Sequence, residues 1–228
     1  MNLEARYLTI KNKIKTAVDA AGRSESDVTL VAVSKTHPIE AVANLYALGH
    51  RDFGENYAQE LIQKAVAAQN LGLDQIRWHF IGHLQSNKVK SVLSYIHMIH
   101  SVDSLSLAQE ISKRAQTLTP ARKVRCLLSV NIDQEPTKSG LLPDEVASIS
   151  STIATLTGVE LCGLMCIPDP LRAQKIPNAF SRLRALGASL GGIINLELSM
   201  GMTGDFETAI REGATAIRIG TAIFGERE

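Results

Sequence analysis

Excess charge of one sign, membrane-length apolar runs, a disulfide framework and interdomain linkers are all missing from this sequence, and each absence closes off a class of function. The 24 basic and 23 acidic residues are interspersed and leave a net charge of +1. No basic stripe is available to follow a phosphate backbone, so nucleic acid is not an expected partner. No apolar stretch approaches the length that spans a bilayer, and Met1-Asn2-Leu3-Glu4-Ala5-Arg6 lacks the hydrophobic segment of a signal peptide. A cytoplasmic protein with no membrane partner is therefore expected. The three cysteines, Cys126, Cys162 and Cys166, sit in apolar, strand-like contexts, which favours reduced core thiols. Cys162 and Cys166 would share a strand face but have no metal-ligand spacing. No Pro/Gly/Ser-rich stretch divides the chain, and residues 1–228 read as one domain.

What is present is a regular alternation of helix and strand. Leu3, Tyr7, Ile10, Ile14, Val18 and Ala21 form one apolar stripe that ends at Gly22, an N-terminal helix preceding the first strand. Strands are expected at Thr29 to Val33, Arg51 to Gly54, Arg77 to Ile81, His97 to His100, Val124 to Val130, Val159 to Met165, Asn195 to Ser199 and Ala216 to Ile219. Between them, helices are expected from about Ile39 to Leu48, Tyr57 to Gln69, Ser86 to Leu93, Ser104 to Thr117, Pro143 to Leu156, around Phe180 to Gly187, and from Asp205 to Glu212. Eight strands alternating with helices predict an α/β fold, a single (β/α)8 TIM barrel with an extra N-terminal helix. A flavodoxin-like or Rossmann sheet is the alternative, but no G-x-G-x-x-G follows the first strand.

The stretch Thr29-Leu30-Val31-Ala32-Val33-Ser34-Lys35 organises the rest. Its apolar run breaks off at Ser34 and Lys35, where a barrel presents its C-terminal edge. A lysine whose stem packs in apolar surroundings loses part of its preference for the ammonium form, and a neutral amine attacks an aldehyde to form a Schiff base. From this segment alone, a lysine that merely extends into solvent is the ordinary reading.

In a barrel, the residues at the C-terminal mouth follow from the strand ends. They are Lys35, Glu55 and Asn56, His83, Asp103, Asn131, Met165 and Ser199. Two further loops, Ser199-Met200-Gly201-Met202-Thr203-Gly204-Asp205 and Gly220-Thr221, follow strands seven and eight. That is where barrels commonly bind phosphate through backbone N–H groups. Arg218 interrupts the apolar strand Ala216-Ile217-Arg218-Ile219, and a guanidinium in a barrel interior needs an acceptor to offset its desolvation. A buried carboxylate is the ordinary partner. Beside a Schiff-base lysine and a phosphate cup, the ring nitrogen of pyridoxal 5'-phosphate is another. A protonated guanidinium there disfavours pyridinium formation and makes the cofactor a weaker electron sink.

Several motifs in order resemble one family. Val31-Ala32-Val33-Ser34-Lys35, Phe53-Gly54-Glu55-Asn56-Tyr57, the run from Trp78 to Lys88, Gly163-Leu164-Met165, Leu198-Ser199-Met200-Gly201-Met202 and the run from Arg218 to Gly225 are similar to the YggS/PROSC family of pyridoxal phosphate homeostasis proteins. The resemblance implies the fold type III barrel of the alanine racemase N-terminal domain, with pyridoxal 5'-phosphate as cofactor and an internal aldimine on Lys35. It also implies Ser199, Met200, Gly201, Gly220 and Thr221 around the phosphate and Arg218 near the pyridine nitrogen, with Asn56, His83 and Met165 lining the mouth. A protein that buffers or delivers the cofactor, passes it to apo-enzymes that depend on it and works as a monomer is the expectation. The segment 168–177 is less characteristic, and no function is carried onto it.

Other readings are weaker. His79 and His83 on one strand face would stand about 13 Å apart, too far to share a zinc ion, and no metal is expected. Glu135 and Lys138 read as a local loop pair, with Lys138 an auxiliary contact for incoming cofactor. The alternative function is a pyridoxal phosphate-dependent amino-acid racemase, which needs acid–base groups on both faces of the substrate. Tyr7, Tyr46, Tyr57 and Tyr95 are the only tyrosines and fall on helices or their starts, and the chain stops soon after strand eight, so no catalytic residue is assigned. An aldolase-like barrel would usually place its lysine later and leaves Arg218 unexplained.

Overall fold

The computed structural model describes residues 2–169, 176–192 and 196–226. Eight parallel strands, β1 (Thr29–Val33), β2 (Asp52–Glu55), β3 (Arg77–Phe80), β4 (Ile96–Val102), β5 (Val124–Ser129), β6 (Val159–Met165), β7 (Glu197–Ser199) and β8 (Ala216–Ile219), close into a barrel in sequence order. Pairing of β8 with β1, Val31 opposite Arg218, completes the ring. Around it lie α1 (Leu3–Ala20), α2 (Ile39–Ala47), α3 (Ala58–Asn70), α4 (Val89–Val92), α5 (Leu105–Ala115), α6 (Val146–Ile153), α7 (Ile176–Ser189), α8 (Phe206–Arg211) and α9 (Thr221–Phe224). Among the described residues no helix is long and apolar enough to cross a membrane.

The alternation of side chains along each strand decides what lies inside. In β1, Leu30 and Ala32 join the large core between barrel and helices, whereas the equally buried Val31 and Val33 face the other way. In β8, Ile217 and Ile219 face the helices and Arg218, between them, faces in. Each fully buried Leu, Ile or Val contributes about 1.5–3 kcal/mol relative to exposure, so the outer face fixes the register.

The N-terminal helix is tied to the far end of the chain. Asn2 caps α1 by accepting the Ala5 N–H at 2.9 Å, and its face of Tyr7, Ile10, Ile14, Ala17 and Val18 is buried. Arg6 donates to the carbonyls of Ile223 at 2.7 Å and Phe224 at 2.8 Å, satisfying the last turn of α9.

Most differences from the sequence expectation have local causes. β4 runs to Val102 because its polar residue His100 finds partners inside the barrel and so does not end the strand. The helix expected from Pro143 begins at Val146, because the Glu145 carboxylate turns back to accept the Leu142 N–H at 2.8 Å. The helix expected from Ser86 is a 3₁₀ turn, Ser86–Lys88, followed by the single turn α4. The expected start of β7 at Asn195 and residues 170–175 of the 168–177 segment lie outside the described residues. Cys162 and Cys166 do not share a face: Cys162 packs with Met98, Leu127 and Met165, and Cys166, one residue past β6, joins the main core. All three thiols are free and buried, and burial pushes their pKa values up.

Candidate functional site

Lys35 is half-buried in the turn that follows β1. The turn is held tightly: His37 N–H donates to the Ser34 carbonyl at 3.0 Å, and Thr36 adopts a left-handed φ of 67°. That backbone is costly for a β-branched residue, so surrounding contacts must impose it. Glu60 of α3 accepts the Thr36 N–H at 2.5 Å. Lys64 of α3, itself buried, donates to the Ser34 carbonyl at 2.6 Å, to Glu55 at 2.7 Å and to Glu60 at 2.8 Å. Ser34 Oγ donates to the same Glu55 oxygen at 2.6 Å. Glu55, expected at the mouth, is thus turned outward to join α3 and the Lys35 turn. Burial raises its pKa, and Lys64 works against that rise.

Ser199 ends β7 and is fully buried. Arg218 donates through Nη1 to Ser199 Oγ and through Nη2 to the Cys166 carbonyl at 3.0 Å. Burial pulls the guanidinium down from its ordinary value, and it remains protonated because that value is so high. Gly201 has φ 94°, and a Cβ there would lie 2.5 Å from Ala209 Cβ, so only glycine fits the loop against α8. Asp205 staples the same loop by accepting the Met202 N–H at 2.6 Å. Met200 points into the main core and its N–H is held by the Ala216 carbonyl at 3.0 Å, so neither its side chain nor its N–H faces the cup. Gly220 caps α9 so close to β1 that a Cβ would sit 3.2 Å from the Val33 carbonyl oxygen. The N–H groups of Thr221 and Ala222 stand in the first turn of α9, where intrahelical partners do not exist. Thr221 is exposed at that end.

A second group gathers at the mouth. A cavity of about 290 Å³ is lined by Asn56, His83, Ser101, Asp103, Lys138 and Met165 among others. Asn56 Oδ1 and Ser101 Oγ are buried with no hydrogen-bond partner among the described residues, acceptors that a ligand can satisfy. His83 is exposed and its Nδ1 meets Asp103 at 3.0 Å. Lys138 pairs with Glu135 at 2.6 Å and reaches the Ile167 carbonyl at 3.3 Å, so it is both loop partner and cavity wall. Asn131 lines the same cavity and also folds its own loop, exchanging hydrogen bonds with the Glu135 backbone at 2.8 and 3.0 Å. Tyr57, 59% exposed at the cap of α3, borders an outer groove with Asn56 and His83, while Tyr95 lies in the turn before β4.

The barrel interior holds polar residues that the sequence reading missed. Asp52 Oδ1 meets His79 Nε2 at 3.0 Å, His79 Nδ1 meets His100 Nε2 at 2.9 Å, and His100 Nδ1 meets Ser199 Oγ at 2.8 Å. Arg77 closes the outer end on Asp52, at 2.7 Å from Oδ1. Burial alone would raise the Asp52 carboxyl, but His79 and Arg77 hold it well below the usual carboxylate range. Burial drives His100 well below the ordinary imidazole value, with the neighbouring charges of His79 and Arg218 adding to it. His79 therefore belongs to a buried column, and His83 lies on a loop three residues past the strand end. The period-two alternation of β3 and β4 sends His79 and His100 inward, a signal the sequence reading did not use; only the closure of the sheet puts them in contact.

Comparison with known proteins places this arrangement. Residues 8–228 match the alanine racemase N-terminal domain. The pyridoxal phosphate homeostasis protein of Pseudomonas aeruginosa is 43% identical over 218 residues, covering 95% of this chain and 92% of that protein. Its namesake from Aquifex aeolicus is 40% identical over 232 residues, covering both chains completely. The structure of PipY from Synechococcus elongatus with PLP bound superposes with a TM-score of 0.85 at 34% identity, covering 98% of this chain and all of that one. Its residues, its barrel and the order of its motifs make this chain a member of the pyridoxal phosphate homeostasis protein family, built on the alanine racemase N-terminal domain.

Proposed function

We propose that this chain binds pyridoxal 5'-phosphate and buffers or delivers it to apo-enzymes that depend on it, acting as a monomer in the cytoplasm and as one domain over residues 1–228. The donor set fits that group. Lys35 supplies an amine to the aldehyde, Arg218 a fixed cation to the ring nitrogen, and Ser199, Gly201, Gly220 and Thr221 a hydroxyl- and amide-rich cup to the phosphate. Asn56, His83 and Met165 line its way in, and Lys138 meets it at the rim. When bound, the cofactor supplies a reactive aldehyde and an electron-withdrawing ring.

The observation that carries the reading is the buried Arg218–Ser199 pair at the ends of β7 and β8. Arg218 keeps the ring nitrogen unprotonated and so weakens carbanion stabilisation, which favours holding the cofactor over using it. Racemisation also needs a second proton carrier. Tyr7 and Tyr46 lie on outer helices, and Tyr57 faces the outer groove.

The test is to load the protein with pyridoxal 5'-phosphate and assay two outcomes: reactivation of an apo-aminotransferase, and racemisation of alanine and other common amino acids. The proposal expects reactivation without racemisation. Turnover at an ordinary ~1 to 10³ s⁻¹ would make the racemase reading correct.

A further inference from the structure

We propose that His79 and His100 form a proton relay that sets the direction in which Ser199 donates its hydroxyl hydrogen, so that a phosphate monoester seated on Ser199 takes up one proton. The inference rests on the assignment of Ser199 to the phosphate cup.

It follows from counting hydrogens along the column. Asp52 is ionised and only accepts, so His79 Nε2 carries a hydrogen toward it. With a neutral pair, His79 Nδ1 must accept from His100 Nε2. His100 Nδ1 is then an acceptor as well, and the hydrogen it faces is that of Ser199. Arg218 has no acceptor atom and donates to the same Oγ. A hydroxyl has one hydrogen, so in this state Ser199 has none for a phosphate oxygen.

One added proton reverses the column. The His100 Nε2 hydrogen passes to His79 Nδ1, the Ser199 hydroxyl hydrogen passes to His100 Nδ1, and Ser199 Oγ takes a replacement proton from the cup side, so that His100 now donates to Ser199 Oγ. Ser199 then accepts from His100 and Arg218 and turns its own hydrogen to the phosphate. His100 is neutral in both states, in keeping with its burial, and the added charge rests on His79 against Asp52. Asp52 and Glu197 favour that charge. Arg77, Arg125 and His97, whose ring is 5.4 Å from His79, oppose it, and Arg218 bears on His100.

The probe is pyridoxine 5'-phosphate, which has the ring and phosphate but no aldehyde, titrated calorimetrically into the whole protein and into its His79→Gln variant at pH 8 in buffers of different ionisation enthalpy, so that any proton exchanged by the probe's own ring nitrogen cancels between the two. Its phosphate is already dianionic there. The expected result is that the wild type takes up close to one proton per probe more than His79→Gln does, with affinity falling more steeply as pH rises. His79→Gln still donates to Asp52 and accepts from His100 but holds no extra proton. It should bind weakly, with only the proton exchange of the probe itself. Nitrogen-15 spectra of histidine-labelled wild type give an independent reading: His100 Nδ1 should change from bare to protonated when the probe is added. Binding with the same proton exchange in both proteins and with His100 Nδ1 still bare overturns the relay and leaves the phosphate cup standing. No binding at all overturns the cup, and the relay with it.

Discussion

Lys64 Nζ lies 2.6 Å from the carbonyl oxygen of Ser34, so a buried ammonium on α3 is fixed to the peptide directly before Lys35. The same ammonium meets Glu55 and Glu60, and Glu60 holds the Thr36 N–H on the other side of Lys35. The strained Lys35 turn is therefore built from behind, by charges that never reach the mouth.

Replacing Lys64 with Met leaves the Glu55 carboxylate buried without its cation. Breaking one side of a buried pair costs about 3–5 kcal/mol, which for a chain of this size lowers Tm by roughly 2–4 °C per kcal/mol. The double change Lys64→Met, Glu55→Leu should recover part of that loss in a urea titration, because the Glu55 charge is then gone while Ser34 and Glu60 still lack their partners. It should still slow the covalent capture of pyridoxal phosphate, since the Ser34 carbonyl has lost its anchor.

Acid should destabilise the fold through its buried imidazoles. Burial pushes His50 and His97 down to about 4 and His100 well below its ordinary value. In the unfolded chain each titrates near 6.5, so the stability they contribute is complete above pH 6.5 and is lost as pH falls toward about 4. Every proton bound only by the unfolded chain steepens the loss by about 1.4 kcal/mol per pH unit. Glu55 and Glu197, raised by burial, act in the opposite sense near the lower end. Urea midpoints from pH 8 to pH 4 should fall below 6.5, and His50→Leu should flatten the slope by up to one proton.

The phosphate cup should hold its ligand without the lysine. Lys35→Ala is expected to keep weak binding of pyridoxal 5'-phosphate and to lose pyridoxal, which has no phosphate. Ser199→Ala with Thr221→Ala removes the two hydroxyl hydrogen bonds that the proposal assigns to the phosphate, each worth about 1.5–3 kcal/mol to a charged group. Equilibrium dialysis should show retention falling by orders of magnitude in that variant although Lys35 is intact.

Much of the barrel was legible. The strands Val159–Met165 and Ala216–Ile219 have the bounds read from the sequence, because apolar strands ending in glycine, cysteine or polar loops leave little choice. Ser199 and Arg218 were legible as inward positions near strand ends. The Asp52–His79–His100 column was not, since it joins residues from three strands whose contact depends on register around a closed sheet. Lys64 was hidden for a different reason: a lysine on an amphipathic helix reads as solvated, and only the outward turn of Glu55 buries it. Met200 shows the opposite failure, a motif residue beside Ser199 whose side chain the alternation sends into the core.

The central claim is that Lys35 captures the cofactor above a phosphate cup, and borohydride reduction followed by peptide mapping tests it most directly. Protein incubated with pyridoxal 5'-phosphate should show a visible absorption band that borohydride discharges, with the pyridoxyl group on Lys35. Reproducible modification of another lysine instead, for example Lys138 at the rim, would contradict the account.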